Sequence, residues 1–402
     1  MPASADDAPV ILSNEPGSFA WGVLAKRHPA LVEQVREAFP WGPAQHAALD
    51  ALLAEATEGV IEPLATDAHD RDRWGAWGHE HFGRSWFDVP FLWSESYFYR
   101  RLLGDLGHFD AGPWQGIDIF GPFKAAELRS ATVDDELAAL DDLAGRPADV
   151  QGPALLSASL WGNRADLGFR LDSGGAHESA GARAGSRLVA DDSAALWALL
   201  PTGGPAGSVH LVADNAGREL IPDLVLIDHL LHSGRATEVV LHVKPHPYYV
   251  SDATMSDVID SLRRLTRAPE AGYAAQIGRR LWHAMTDGRL EVRAHEFFCA
   301  PFPYDAMPDR LRAEFAGAAV TILKGDLNYR RLVGDRLWEP TTPFAERTAY
   351  FPGPVAALRT LKSDVITGLE PAALAELEAS GRSWRTSGTH ALVQLGGLAG
   401  KV

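Results

Sequence analysis

The segment SVHLVADNAGREL, residues 208–220, decides the fold. Its first half, SVHLVA (208–213), has the aliphatic, β-branched composition of a buried strand. Its second half supplies Asp214 and Asn215, then a glycine that permits a tight turn, then Leu220, Leu224, Ile227 and Leu231 on one face of a helix. A buried strand that ends in polar residues and hands over to an amphipathic helix is the repeating unit of a helix-covered sheet. TEVVLHV (237–243) and AVTILK (319–324) repeat the pattern. The expected fold class is therefore α/β, a Rossmann-like layered domain over residues 151–402. Open sheets of this kind bind ligands at the carboxyl ends of their strands, where helix N-termini offer backbone N–H groups to anions.

Upstream, residues 1–150 read as a mainly helical N-terminal domain. Leu31, Val35 and Phe39 recur at helical spacing after Pro29, which suits a first turn, and Leu49, Leu52, Leu53 and Ala56 do so again. The aromatic-rich stretch from Arg73 to Leu103 most simply fills a core between helices, and His79 and His81 within it have no ligand geometry to support a metal role. A helix from about Asp134 to Leu143 leads into GRPADVQG, whose Gly and Pro mark a junction. The Gly/Ala/Ser-rich segment 170–187 reads as a mobile surface loop.

Composition narrows the function. The 402 residues carry a formal net charge of −16 and show no dense Lys/Arg run, which argues against nucleic-acid binding. No apolar run is long enough to span a bilayer and the N-terminus has no signal-peptide pattern, so no membrane role and a cytoplasmic location are expected. The single cysteine, Cys299, rules out an intrachain disulfide and, flanked by FFCAPF, reads as a buried thiol. An anionic substrate would be repelled by this field unless a cation and local basic groups reverse it at the site.

Asp214 and Asn215 also suit a helix cap, and that motif by itself leaves the two readings open. KPHPYYVSD (244–252) poses the same choice: its prolines stop the second strand, and Asp252, which could again be only a cap, stands before a helix with Val258, Ile259, Leu262 and Leu265. Two strand ends delivering carboxylates to one sheet edge make an all-oxygen site of the kind that holds Mg²⁺ or Mn²⁺ with several waters. His242 and His246 are four apart, but Pro245 forbids the helical geometry of a zinc pair. The third strand leads into KGDLNYRRL (324–332), where Gly325 allows close backbone approach and Asp326, Asn328 and Arg330 can grip hydroxyls and phosphate. LRTLKSD (358–364) is read with Arg359 and Lys362 one helical turn apart, Lys362 being a point charge for a phosphoryl oxygen.

LWGNRADLG (160–168), VADNAGREL (212–220), KPHPYYVSD, KGDLNYR and RTLK (359–362) together resemble the DUF89 or ARMT1-like damage-control phosphatases, in the branch marked by an RTxK motif, subfamily III. The resemblance implies a helical N-terminal part on a three-layer α/β/α Rossmann-like domain, and a divalent-metal phosphatase for small phosphorylated metabolites, ketose phosphates such as fructose 1-phosphate among them. It implies Asp214, Asn215 and Asp252 as metal ligands, with Mn²⁺ the foremost metal and Mg²⁺, Co²⁺ or Ni²⁺ as alternatives. Asp214, Asp252 and Asp326 would be catalytic, and Glu219, Asp326, Asn328, Arg330, Lys362, Asn163 and Arg164 would face the substrate. KPHPYY before VSD and the Gly-rich insertion after WGNRADLG depart from the commoner pattern. Two other readings stand beside it: an S-adenosylmethionine-dependent protein carboxyl (glutamate) O-methyltransferase, which lacks a GxGxG-type loop here, and a non-catalytic binder of phosphorylated metabolites. Nothing in the sequence fixes an oligomeric state.

Overall fold

The computed structural model describes residues 8–162, 187–204, 206–269 and 272–398. Its centre is a seven-stranded sheet in the order β1-β7-β6-β5-β2-β3-β4. The strands are β1 (Arg187–Asp191), β2 (Gly207–Val212), β3 (Ala236–Val243), β4 (Leu290–Ala294), β5 (Val320–Lys324), β6 (Val355–Thr360) and β7 (His390–Gly396). Every neighbouring pair is parallel except β6 and β7. The chain runs β2 to β3 to β4 in one direction and then returns to lay β5 on the other side of β2, so the strand order reverses between β2 and β5. A crevice opens at such a reversal.

Alternation along the strands explains why helices cover both faces. Val209 and Leu211 of β2, Val239 and Leu241 of β3, and Val320 and Ile322 of β5 enter one core with the helices Ala148–Trp161, Leu220–His232, Met255–Thr266 and Tyr273–Thr286. Val212, Leu323, Val355 and Ala357 point the other way, into a core with Leu311, Phe315, Leu332 and Phe344. The fold is thus α/β with helical layers on both faces of a mixed sheet.

Most of the first 120 residues build a third core, to which Trp74, Trp86, Trp93, Tyr97 and Phe98 contribute buried rings. Pro29 lies in the first turn of the helix His28–Ala38, as its fixed φ favours. The helices over 121–144 pack instead with the sheet, through Leu128, Val133, Leu137, Leu140 and Leu143. A strap at 8–14 ties the chain's beginning to distant segments: Leu337 N donates to the Pro9 carbonyl at 2.9 Å, and Leu12 bridges to Pro90. Cys299 is buried, and burial pushes its thiol up to about 12. Among the described residues no helix is long and apolar enough to cross a membrane. Segment 170–187, read above as a loop, lies outside the described residues apart from the first residue of β1.

Two expectations need correcting. Residues 358–364 are not a helical turn: β6 pairs antiparallel with β7 through Arg359 opposite Leu392, and that ladder overrides local helix preference. The expected helix 134–143 is broken into Ala131–Ala139 and Asp141–Ala144.

One ion pair locks the helices Ala148–Trp161 and Leu220–His232 to the end of β5. Lys324 Nζ donates to Asp223 Oδ1 at 2.6 Å, to Ser159 Oγ at 2.8 Å and to the Ser159 carbonyl, all buried. Removing one member strands the other's charge in the core. Lys324→Met is expected to cost about 3–5 kcal/mol in a denaturant titration, and adding Asp223→Leu to recover part of that loss.

Candidate functional site

The ends of β2, β3 and β5 meet at the strand-order reversal. Asn215 and Asp252 face each other across an isolated antiparallel bridge, with Ala216 N donating to the Ser251 carbonyl at 2.7 Å and Ala253 N to the Asp214 carbonyl at 2.9 Å. These two bonds fix the Asp214–Asn215 pair against Ser251–Asp252 without using their carboxylates. The cap reading is thereby set aside. The helix after Asp252 begins at Met255 and is capped by Thr254 in a capping box with Asp257, while the helix after Asn215 begins only at Leu220.

Glycine makes the convergence possible. Gly325 opens the helix after β5 at φ +83°, and a β-carbon there would lie 1.9 Å from Asp214 Oδ2. Only a residue without a side chain admits that carboxylate. At the other edge, Tyr249 and Val250 hold φ of 45° and 67°. For a β-branched valine this is a costly conformation, and it falls on the turn that presents Ser251 and Asp252.

Asp214, Asn215, Asp252, Asp326, Arg330 and Lys362 all line one cavity of about 460 Å³. Glu219 stands beside it: Asn215 Nδ2 donates to its Oε2 at 2.9 Å, and Lys362 Nζ is 3.8 Å from its Oε1. Asn215 Oδ1 accepts from Ser251 Oγ at 2.7 Å, which fixes the amide's orientation. Asn328 is brought elsewhere. It is buried beneath the site, donating to the Ala213 and Lys324 carbonyls at 3.2 and 2.8 Å and accepting from the Tyr304 hydroxyl at 2.9 Å. Its work is to hold the β2 and β5 ends together. Arg330 reaches the cavity, but its guanidinium is bound to Asp335 at 2.7 and 2.9 Å and to Glu95 at 3.3 Å. Asn163 and Arg164 lie outside the described residues.

Asp326 and Asp252 are each met by a cation. Asp326 Oδ1 accepts from Arg359 Nε at 2.8 Å and from Ser363 Oγ at 3.1 Å, and Arg359 itself is fully buried. Burial alone would raise Asp326, yet Arg359, Arg330 and the Ser363 hydroxyl outweigh it and hold the carboxyl below its usual range. Lys244 Nζ stands 3.3 Å from Asp252 Oδ2, and Lys124 Nζ donates to the Asp252 carbonyl at 2.9 Å. Sequence reasoning passed over these two lysines, because a lysine in a string looks solvated. The clue available for Lys244 was its place at the end of a buried strand. Glu95, Tyr99 and Arg27 were also passed over. Glu95 was detectable as the one acid within WSESYFY, a run otherwise read as core.

The donor set suits a hard divalent cation. Asp252 Oδ2 is buried and makes no hydrogen bond among the described residues despite the nearby ammonium. Asp214 and Asp252 contribute carboxylates and Asn215 an amide oxygen, all of the type Mg²⁺ or Mn²⁺ prefers. Among the described residues no three His, Cys, Asp or Glu side chains converge as a closed cage. A cation held by these residues would complete its shell with water and substrate, as Mg²⁺ sites commonly do.

Comparison with known proteins agrees in one direction. Residues 23–377 match the damage-control phosphatase ARMT1-like domain. The damage-control phosphatase ARMT1 of Rattus norvegicus is 32% identical over 382 residues, spanning 85% of this chain and 84% of that protein. That of Homo sapiens is 32% identical over 378 residues, with the same coverage. A DUF89 family protein of Pyrococcus horikoshii superposes with a TM-score of 0.47 at 16% identity, over 89% of this chain and 94% of that one.

The carboxylates also set a pH dependence. Burial raises Asp214 well above the usual range, Asp252 and Glu219 add to the effect, and Lys362 and Lys244 oppose it; burial raises Asp252 as well. The folded state therefore binds protons that the unfolded chain releases near pH 4, and the stability this confers is lost as pH rises through the raised values. In protein stripped of divalent ions with EDTA, the contribution of these carboxylates to stability is expected to fall from pH 5 to pH 8, against the opposite trend from His28, His210, His229, His242 and His246, whose imidazoles burial lowers. Asp214→Asn should flatten part of that fall and raise stability at pH 8 by ~0.5–2 kcal/mol, read by thermal unfolding at both pH values.

Proposed function

Because the chain belongs to the ARMT1-like damage-control phosphatase family, we propose that it is a divalent-metal-dependent phosphatase of small phosphorylated metabolites, with sugar (ketose) phosphates such as fructose 1-phosphate as its substrate class. The observation that carries the metal reading is the bridged pair of strand ends, which holds Asp214, Asn215 and Asp252 on one cavity wall and leaves a buried Asp252 oxygen without a hydrogen bond. Mn²⁺ is the proposed ion, with Mg²⁺, Co²⁺ and Ni²⁺ as the competitors to test.

When bound, the ion supplies Lewis-acid neutralisation of phosphoryl charge. The protein supplies the rest. Lys362, on the loop after β6, extends an ammonium over the cavity to meet phosphoryl oxygens. Asp326 is kept ionised by Arg359, and its Oδ1 is fully engaged, which leaves Oδ2 as the oxygen with capacity to orient a substrate hydroxyl or accept a proton from attacking water. Asp214, packed against Gly325, has the position of a ligand or a nucleophile, and both roles need the same fixed carboxylate. Arg330 acts chiefly through Glu95 and Asp335, shaping the wall of the cavity it lines.

The test is phosphate release from a panel of phosphorylated metabolites with each ion and with EDTA. Turnover should require a divalent ion, and Asp214→Asn and Asp252→Asn should each lower kcat/KM by about 10²–10³. Gly325→Ala, which cannot admit the Asp214 carboxylate, should do the same without touching any polar group. Undiminished turnover in these variants would reject the site. Methyl transfer from labelled S-adenosylmethionine in the absence of phosphate release would replace the phosphatase reading altogether.

A further inference from the structure

The cavity is larger than a phosphoryl group needs, and its wall away from the strand ends is built by the N-terminal helices. Val23, Arg27, Ala30, Leu31 and Gln34 line it together. Their spacing is that of one helix face, and within it residues Val23–Arg27 form a π-helical turn, with His28 N donating to the Val23 carbonyl five residues back, before the α-helix His28–Ala38 begins. Such single-turn bulges recur at functional sites.

Among the described residues three cations line this cavity: Arg27, Arg330 and Lys362. Arg330 is committed to Asp335 and Glu95, and Lys362 sits toward Glu219 at the phosphoryl end. Arg27 has no carboxylate within ion-pair distance among the described residues, and its charge is felt by Glu95, Tyr99 and His28 around it. Arg27 is exposed at the cavity, so its guanidinium is open to solvent and to a ligand bound there. Beside it His28, almost fully buried and stacked on Phe98 at 3.7 Å, leaves both ring nitrogens without a partner.

Resting on the phosphatase reading of this cavity, we propose that Arg27 is a specificity-determining residue that binds a second anionic group, carboxylate or phosphate, at the far end of the phosphomonoester substrate. The favoured substrates are then sugar phosphates that carry a second negative charge, such as phosphorylated sugar acids or bisphosphates. A planar guanidinium grips either group bidentately, which an ammonium does not.

The test compares fructose 1-phosphate with fructose 1,6-bisphosphate and gluconate 6-phosphate in the full chain with Mn²⁺. Wild type should favour the doubly anionic esters. Arg27→Ala should lower kcat/KM for them by about 10- to 100-fold, chiefly through KM, and shrink their advantage over fructose 1-phosphate by the same factor, with Arg27→Lys recovering part. Absence of any preference in wild type, or an equal loss on all three esters, would overturn the assignment. Should no ester release phosphate, the hydrolase reading fails, and equilibrium dialysis of gluconate 6-phosphate still reads Arg27. Weaker retention by Arg27→Ala than by wild type supports the assignment, and equal retention overturns it.

Discussion

Where β2 and β5 part, the carboxylate of Asp214 occupies the space in which any other residue at 325 would carry its β-carbon. Much of the surrounding architecture serves that close approach. The left-handed backbone of Gly325 starts the next helix directly, so Asp326 is delivered to the same edge one residue later. Asn328, one turn on, reaches back to the Ala213 carbonyl and fixes the distance between the two strand ends. On the other flank the Asn215 and Asp252 bridge does for β3 what Gly325 does for β5.

Crowding acids into one crevice has an electrostatic cost, which is met from behind. Asp252 leans on Lys244 and Lys124, Asp326 on Arg359, Glu95 on Arg330, and Asp223 on Lys324. Each of these cations is itself buried, so none is a surface ion pair of negligible worth. Asp214 differs. Its nearest charged influences include Asp252 and Glu219, which repel it, and this imbalance marks it as the place where an added positive charge gains most.

How far the sequence foretold this depends on the residue. Strand ends were legible because composition switches sharply from aliphatic to polar at 213/214, 243/244 and 323/324, and hydrophobic alternation reports burial directly. Whether Asp214 and Asp252 were caps was not legible, since capping depends on where the helix starts to within a residue or two, and the first turns prove to lie further on, at Leu220 and Met255. Lys362 lines the cavity from beyond a strand end and not from the helical turn read for it, because the pairing of β6 with β7 involves residues about thirty positions away that no local pattern encodes. Asn328 was grouped with the substrate-facing residues on proximity in sequence, whereas a helix turns it under Asp326 rather than beside it. Arg27 escaped notice although it stands in the same four-residue register as Leu31, because a cation at the start of a helical pattern reads as solvated and nothing local encodes the cavity it borders.

The strap that pairs residues 9 and 12 with residues 337 and 90 joins the earliest part of the chain to a segment more than three hundred positions later. During synthesis the N-terminal helices emerge with their aromatic core long before Leu327 and Tyr248, which also pack into it, have been made. A ribosome-bound intermediate would then carry an incompletely covered apolar surface through the production of most of the sheet. Proteins assembled in this order, with distant closures and a largely parallel sheet, fold slowly and draw on chaperones. For this chain the demand falls on the same helices that supply Arg27 and Glu95 to the cavity wall, so the site is among the last features to be completed as the polypeptide matures.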